Sequence, residues 1–234
     1  MKRKINVFSR RRQGTGNGEQ GFTEVKCISP ESLNHPILEE SFTIIDHEIG
    51  SHSLTPDEYA IARRVIHATA DFEFAKLLRF SPDAIAAGLN SLASQVPIIT
   101  DVSMVKQGIA TMVKKTYDNQ IISAVAQAEV AMPGKTRTET GLEMCWQKYP
   151  QGIYVIGNAP TALLALCKLI TKAEVKPALV IGVPVGFVSV VEAKEVLAQT
   201  NVEQILVAGR KGGSPTASAI VNALLVLAWE KFNC

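Results

Sequence analysis

GIYVIG at residues 152–157, ALVIGV at 178–183 and QILVAG at 204–209 decide the fold. Each is a short run rich in β-branched residues, and each carries a glycine where a strand would give way to a turn. Gly157, Gly182 and Gly209 lie 25 and 27 positions apart (182 − 157 and 209 − 182), about the length of one strand, turn and helix. A fourth run, VPIIT at 96–100, precedes them, and helical patterns fill the intervals. Alternation of this kind predicts a single α/β domain with a mainly parallel sheet flanked by helices, over residues 31–234. In such sheets the carboxyl ends of the strands face the ligand crevice, so the turns after those glycines are the first candidates for a site.

Moving toward the N-terminus, Thr55-Pro56-Asp57-Glu58 has capping-box spacing with proline at the first helical position. Ile61, Val65, Ala68 and Phe72 then recur on one face, which predicts a helix over about 56–79. His67 falls on the opposite, polar side with Arg63, Arg64 and Asp71. Before residue 30, Arg10, Arg11 and Arg12 lead into GTGNGEQG, a charged and glycine-rich stretch with no apolar period. It is predicted to be a flexible basic extension over 1–30. Its GxGxG has neither a strand before it nor a helix after it, so it is no dinucleotide fingerprint.

The 234 residues are 47% hydrophobic, enough for one sizeable core. A net charge of +2 lacks the basic excess of a dedicated nucleic-acid binder. Cys27, Cys145, Cys167 and Cys234 are scattered without metal-finger spacing, which suits reduced thiols in a cytoplasmic protein. No export signal is expected at the N-terminus, and the apolar stretches 177–191 and 219–229 are too short for a bilayer span. Neither membrane nor nucleic acid is an expected partner.

Three turns could carry chemistry. Gly209-Arg210-Lys211-Gly212-Gly213-Ser214-Pro215-Thr216 joins exposed amides, two cations and a helix start, an arrangement that attracts anions; a purely structural turn is the alternative. Lys211 precedes the glycine pair, so this is not a P-loop, and nucleotide binding lacks a complete motif. In Gly157-Asn158-Ala159-Pro160-Thr161, Asn158 can either cap the next helix or donate into the crevice. Gly182-Val183-Pro184-Val185-Gly186-Phe187-Val188-Ser189 is nearly all apolar and suits the wall of a large flat pocket, or else ordinary core. His67 is the candidate for proton chemistry near neutral pH, with Asp71 placed to orient it and the arginines to hold an anion. His47-Glu48-Ile49-Gly50-Ser51-His52 fails as a zincin motif because Ser51 stands where the second histidine is required, so no metal site is expected. No Gly-x-Ser-x-Gly elbow is present.

In order along the chain, PILEESF (36–42), RVIHATADFE (64–73), Asp101-Val102, Met104-Val105, Gly108-Ile109, Thr136-Arg137, GNAPTA (157–162), GVPVGF (182–187) and GRKGGSPT (209–216) resemble the precorrin-8X methylmutase family, including its cobalt-precorrin-8 branch. The resemblance covers residues about 35–230. It implies an isomerase that moves a methyl group from C-11 to C-12 of a tetrapyrrole macrocycle by a 1,5-sigmatropic shift, giving hydrogenobyrinate or its cobalt counterpart. It implies no cofactor, a homodimer with the pocket near the subunit contact, and His67 as proton donor to a ring nitrogen. Ser41, Arg63, Arg64, Thr136, Arg137, Asn158, Gly186, Arg210, Lys211 and Gly212 then become expected contacts for a substrate rimmed by carboxylates. A carrier that binds the tetrapyrrole without turning it over is the competing reading.

Overall fold

A computed structural model describes Leu33 and residues 35–233. The expected extension over 1–30, with Cys27, lies outside the described residues, as does Cys234. The elements run α1 (Pro36–Glu48), α2 (Pro56–Thr69), α3 (Phe74–Leu77), β1 (Leu78–Phe80), α4 (Ala84–Ala93), β2 (Ile98–Thr100), α5 (Ser103–Lys115), β3 (Ile121–Ser123), a 3-10 turn (Ala124–Ala126), α6 (Arg137–Lys148), β4 (Ile153–Ile156), α7 (Pro160–Lys172), β5 (Leu179–Gly182), α8 (Val190–Ala198), β6 (Gln204–Val207) and α9 (Ser214–Asn233). The four strands expected from VPIIT, GIYVIG, ALVIGV and QILVAG are all present.

The six strands form one sheet in the order β1-β6-β5-β4-β2-β3, parallel except for β1. Alternate strand residues point to opposite faces. Ile98, Ile153, Val155, Leu179, Ile181, Ile205 and Val207 join the core beneath α1, α2, α4, α5 and α9. Ile99, Tyr154, Ile156, Val180 and Leu206 join the core beneath α6, α7 and α8. The result is three layers, with the sheet buried on both faces. Most of the buried positions of α9 are apolar, spread around the whole helix, because it packs against α2, α4 and α5 as well as the sheet. Among the described residues no helix is long and apolar enough to cross a membrane.

The helix expected over 56–79 is shorter. Its capping box forms as read: Glu58 Oε2 accepts from the Thr55 amide at 2.8 Å, and Thr55 Oγ1 accepts from the Glu58 amide at 3.4 Å. It stops at Thr69, because Ala70 enters the left-handed region at φ 53°. The chain turns through Asp71–Glu73 and runs into the edge strand β1. Since β1 is antiparallel to β6, with Leu78 opposite Val207, the start of β1 lies at the carboxyl ends of the parallel strands. The Ala208 amide donates to Leu77 O at 2.9 Å, which confirms that placement. The end of α2 therefore reaches the crevice edge.

Candidate active site

Chain order reverses between β2 and β4, where β2 to β3 steps one way across the sheet and β4 to β5 to β6 steps the other. Ligand crevices open at such reversals. At this one, the Asp101 carboxylate is fully buried and spans both strands: Oδ2 accepts from the amides of Asn158 at 2.6 Å and Ala159 at 2.8 Å, and Oδ1 from Val102 at 2.9 Å. Burial pushes its pKa up, while these amide bonds and that of Gly157 pull it down. Sequence reasoning gave Asp101 no role. It also assigned Asn158 two options, of which capping is not realised: α7 has Ala159 at its N-cap position and no side-chain cap bond. Asp101, 58 residues earlier than Ala159, satisfies the orphan amides instead. The Asn158 side chain is left exposed at the crevice.

Next to it, Thr136 caps α6 by accepting from the Glu139 amide at 3.2 Å, and its hydroxyl lies 3.2 Å from that of Thr161 at the start of α7. Arg137 is exposed and donates through Nε and Nη2 to Val125 O at 3.3 and 3.1 Å. Thr136, Arg137 and Asn158 thus form one group, beyond β3 and β4.

A second group gathers around β5 and β6. Gly186 and Gly212 hold φ 144° and 148°. A Cβ on Gly212 would sit 2.2 Å from Val183 O, so only glycine lets the two turns touch. The Gly186 amide donates to Arg210 O at 3.3 Å, and the exposed Arg210 guanidinium lies 5.6 Å from the Phe187 ring centre. The apolar 183–188 turn is not core along its length: Phe187 and Val188 are 83% and 82% exposed beside the crevice.

Lys211 ties this group to the segment that follows His67. Its ammonium lies 2.6 Å from Asp71 Oδ2 and 2.8 Å from Glu73 Oε2. The ammonium pulls the Asp71 carboxyl below its ordinary range, and the Lys211 pKa rises in turn. Asp71 lies past the end of α2, so the expected ring-orienting contact to His67 is replaced by the one to Lys211. His67 itself is exposed on the last turn of α2. The ring of Phe42, from α1, meets it edge-on with centroids 5.9 Å apart. Phe42 is the contact to His67 that spacing along α2 could not reveal.

Arg63 and Arg64 take up other positions. Arg63 donates to Asp46 Oδ2 at 2.8 Å and stacks over Phe42 at 4.3 Å. Both arginines line a cleft of about 540 Å³ between α1, α2 and α9, with Glu39 and Glu230. Burial lowers the Arg64 pKa, and Glu39 opposes that. Ser41 donates to Ile37 O at 2.8 Å within α1. Among the described residues no group of three or more His, Cys, Asp or Glu gathers to hold a metal.

Lys194 was not singled out from sequence either. It is buried on α8, and Nζ donates to Gly209 O at 2.8 Å and Lys211 O at 2.7 Å. Burial lowers its pKa to about 8.

The model of the family described as precorrin-8X methylmutase matches residues 36–227. The chain belongs to the precorrin-8X methylmutase family. That family membership makes it an isomerase, a methylmutase of cobalamin biosynthesis. A cobalt-precorrin-8 methylmutase of Synechocystis sp. is 55% identical over 213 residues, covering 85% of this chain and 98% of that protein. A precorrin-8X methylmutase of Pseudomonas aeruginosa is 40% identical, covering 80% and 93%. The crystal structure of the Thermus thermophilus precorrin-8X methylmutase superposes with a TM-score of 0.78 at 42% identity, over 83% of this chain and 96% of that one. All of the crevice residues described above lie within the segment that matches the methylmutase family.

Proposed function

We propose that the chain moves a methyl group from C-11 to C-12 of a precorrin-8-type macrocycle, with His67 donating a proton to the nitrogen of the pyrrole-derived ring that carries the methyl. The reading is supported chiefly by one observation: Lys211 fastens the segment after His67 to the glycine turn, which brings an imidazole and an anion-attracting turn to one edge of the sheet. A proton on the ring nitrogen draws electron density from the π-system. The C-11 to methyl bond then breaks as the C-12 to methyl bond forms, and the proton returns to His67 as the product settles. Atoms balance without a co-reactant. Imidazole suits this exchange because its charge changes near neutral pH.

The macrocycle's rim of carboxylates is met by Arg137, Arg210 and Asn158, and by the amide at Gly212, which fix it relative to His67. Phe187 and Val188 offer an apolar wall for its face. A cobalt ion, where present, belongs to the substrate. The reading extends to a cytoplasmic homodimer, in which the exposed Phe187 and Val188 lie close to the second copy.

The test is a spectrophotometric assay with precorrin-8X and with its cobalt form, comparing the chain with its His67→Ala variant. Wild-type conversion that falls at least about 100-fold in the variant, with product still bound, is expected. Product binding without turnover by the wild type would make the chain a carrier, and full activity in His67→Ala would remove the histidine from the mechanism.

A further inference from the structure

The buried ammonium of Lys194 stands directly under the glycine turn, and its geometry is not that of an ion pair. It donates to two main-chain carbonyls of a single turn, Gly209 O at 2.8 Å and Lys211 O at 2.7 Å. Flanking peptides are thereby pulled so that their oxygens point inward. The amides of Arg210 and Gly212, each in the same peptide unit as one of those carbonyls, meet no acceptor among the described residues. A peptide chain whose carbonyls are drawn to one side presents its N–H groups on the other, the form of a main-chain anion nest. Here the nest also has a cation beneath it. The cost of burying that cation is large, and a tight turn can close without one. Val183 O and Arg210 O already pin the turn, accepting from the Gly213 amide at 2.8 Å and the Gly186 amide at 3.3 Å.

We infer that Lys194 is a positioning residue for substrate: it holds the Gly209 and Lys211 carbonyls inward so that the turn's free amides face a carboxylate of the bound macrocycle, and it adds its charge to that of the amides. Lys194 does not touch the substrate, and it takes no part in proton transfer. Its effect falls on binding, through the amides it orients and the potential it supplies. This inference rests on the substrate reading proposed above.

The experiment measures product affinity by spectral titration with hydrogenobyrinate, together with KM, kcat and thermal unfolding, for the wild type and Lys194→Met. The methionine keeps the apolar stem and removes the charge and its bonds. Kd and KM are expected to rise about tenfold while kcat changes less than about threefold. A lowered unfolding temperature with unchanged Kd would reduce Lys194 to a structural role and overturn the inference. Wild type that neither binds nor converts the corrinoid overturns the substrate reading itself, and the inference with it. Where Lys194→Met does not fold, 15N NMR of the unaltered protein decides: the amide signals of Arg210 and Gly212 move on adding hydrogenobyrinate if they face its carboxylate, and stay in place if the inference is wrong.

Discussion

Lys211 Nζ lies 2.6 Å from Asp71 Oδ2, although the two residues are 140 positions apart in the chain. The contact joins the last glycine turn of the sheet to the segment that leaves the histidine helix. It is exposed, and ion pairs of that kind add little to overall stability. Its effect is on where the two segments stand.

Asp71→Asn is accordingly expected to lower the unfolding temperature by no more than about 2 °C while raising KM. The pH dependence follows from the depressed Asp71 pKa. A carboxyl whose folded pKa lies below its unfolded value stabilises fully above the unfolded value, about 3.9, and loses that contribution as pH falls through the folded one. The small difference between wild type and variant is therefore present at pH 6 and gone in strong acid. A difference that persists at low pH would show that Asp71 acts other than through its charge.

Asp101→Ala is a different kind of change. It strands the buried amide of Ala159 and the partly buried amides of Val102 and Asn158, for a loss of roughly 3 kcal/mol. In a chain of this size that is a fall in unfolding temperature of about 6–12 °C. Urea titration gives the free energy directly, and a loss below about 1 kcal/mol would mean that water reaches those amides.

Gly212→Ala and Gly209→Ala separate crowding from backbone conformation. Both positions have positive φ, but only at Gly212 would the new methyl meet a carbonyl, Val183 O at 2.2 Å, whereas Gly209 has nothing within 4 Å. Gly209→Ala should cost about 1 kcal/mol, and Gly212→Ala roughly 3 kcal/mol with loss of product binding. Equal costs at the two sites would contradict this account of the turn.

Lys194 sets the alkaline side of stability. Its folded pKa, near 8, is below the unfolded value of about 10.4. Between those values the unfolded chain holds a proton that the folded chain has released, so stability rises with pH, by at most about 1.4 kcal/mol per unit. Lys194→Met removes the rise. Denaturant midpoints of the two proteins from pH 7 to 10.5 will show it, and parallel curves would mean that Lys194 titrates in its ordinary range.

The main strands and the capping box were legible because their signals are local: an apolar run closed by glycine, a threonine three residues before a glutamate. The end of α2 was not. No glycine or proline marks Ala70, and Phe72 continues the apolar period, so the pattern ran on through a left-handed residue and over β1. That strand is three residues long, as is β3, the other strand missed. Asp101, Phe42 and Lys194 were hidden for a further reason. Each acts across tens of residues on an element whose position only the fold supplies, and a lysine within VVEAKEVLA reads as solvent-facing until a turn closes over it.

Among the described residues β1 and β6 are the first and last strands, yet they are neighbours in the sheet. During synthesis, the histidine helix emerges ahead of every strand described, and β1 then waits unpaired while more than a hundred further residues are made. Only when residues 204–207 leave the ribosome can β1 dock, and only after that does the segment following the imidazole meet its glycine turn. A chain released before that point carries no assembled site, so catalytic competence reports that β6 and the turn after it have been made.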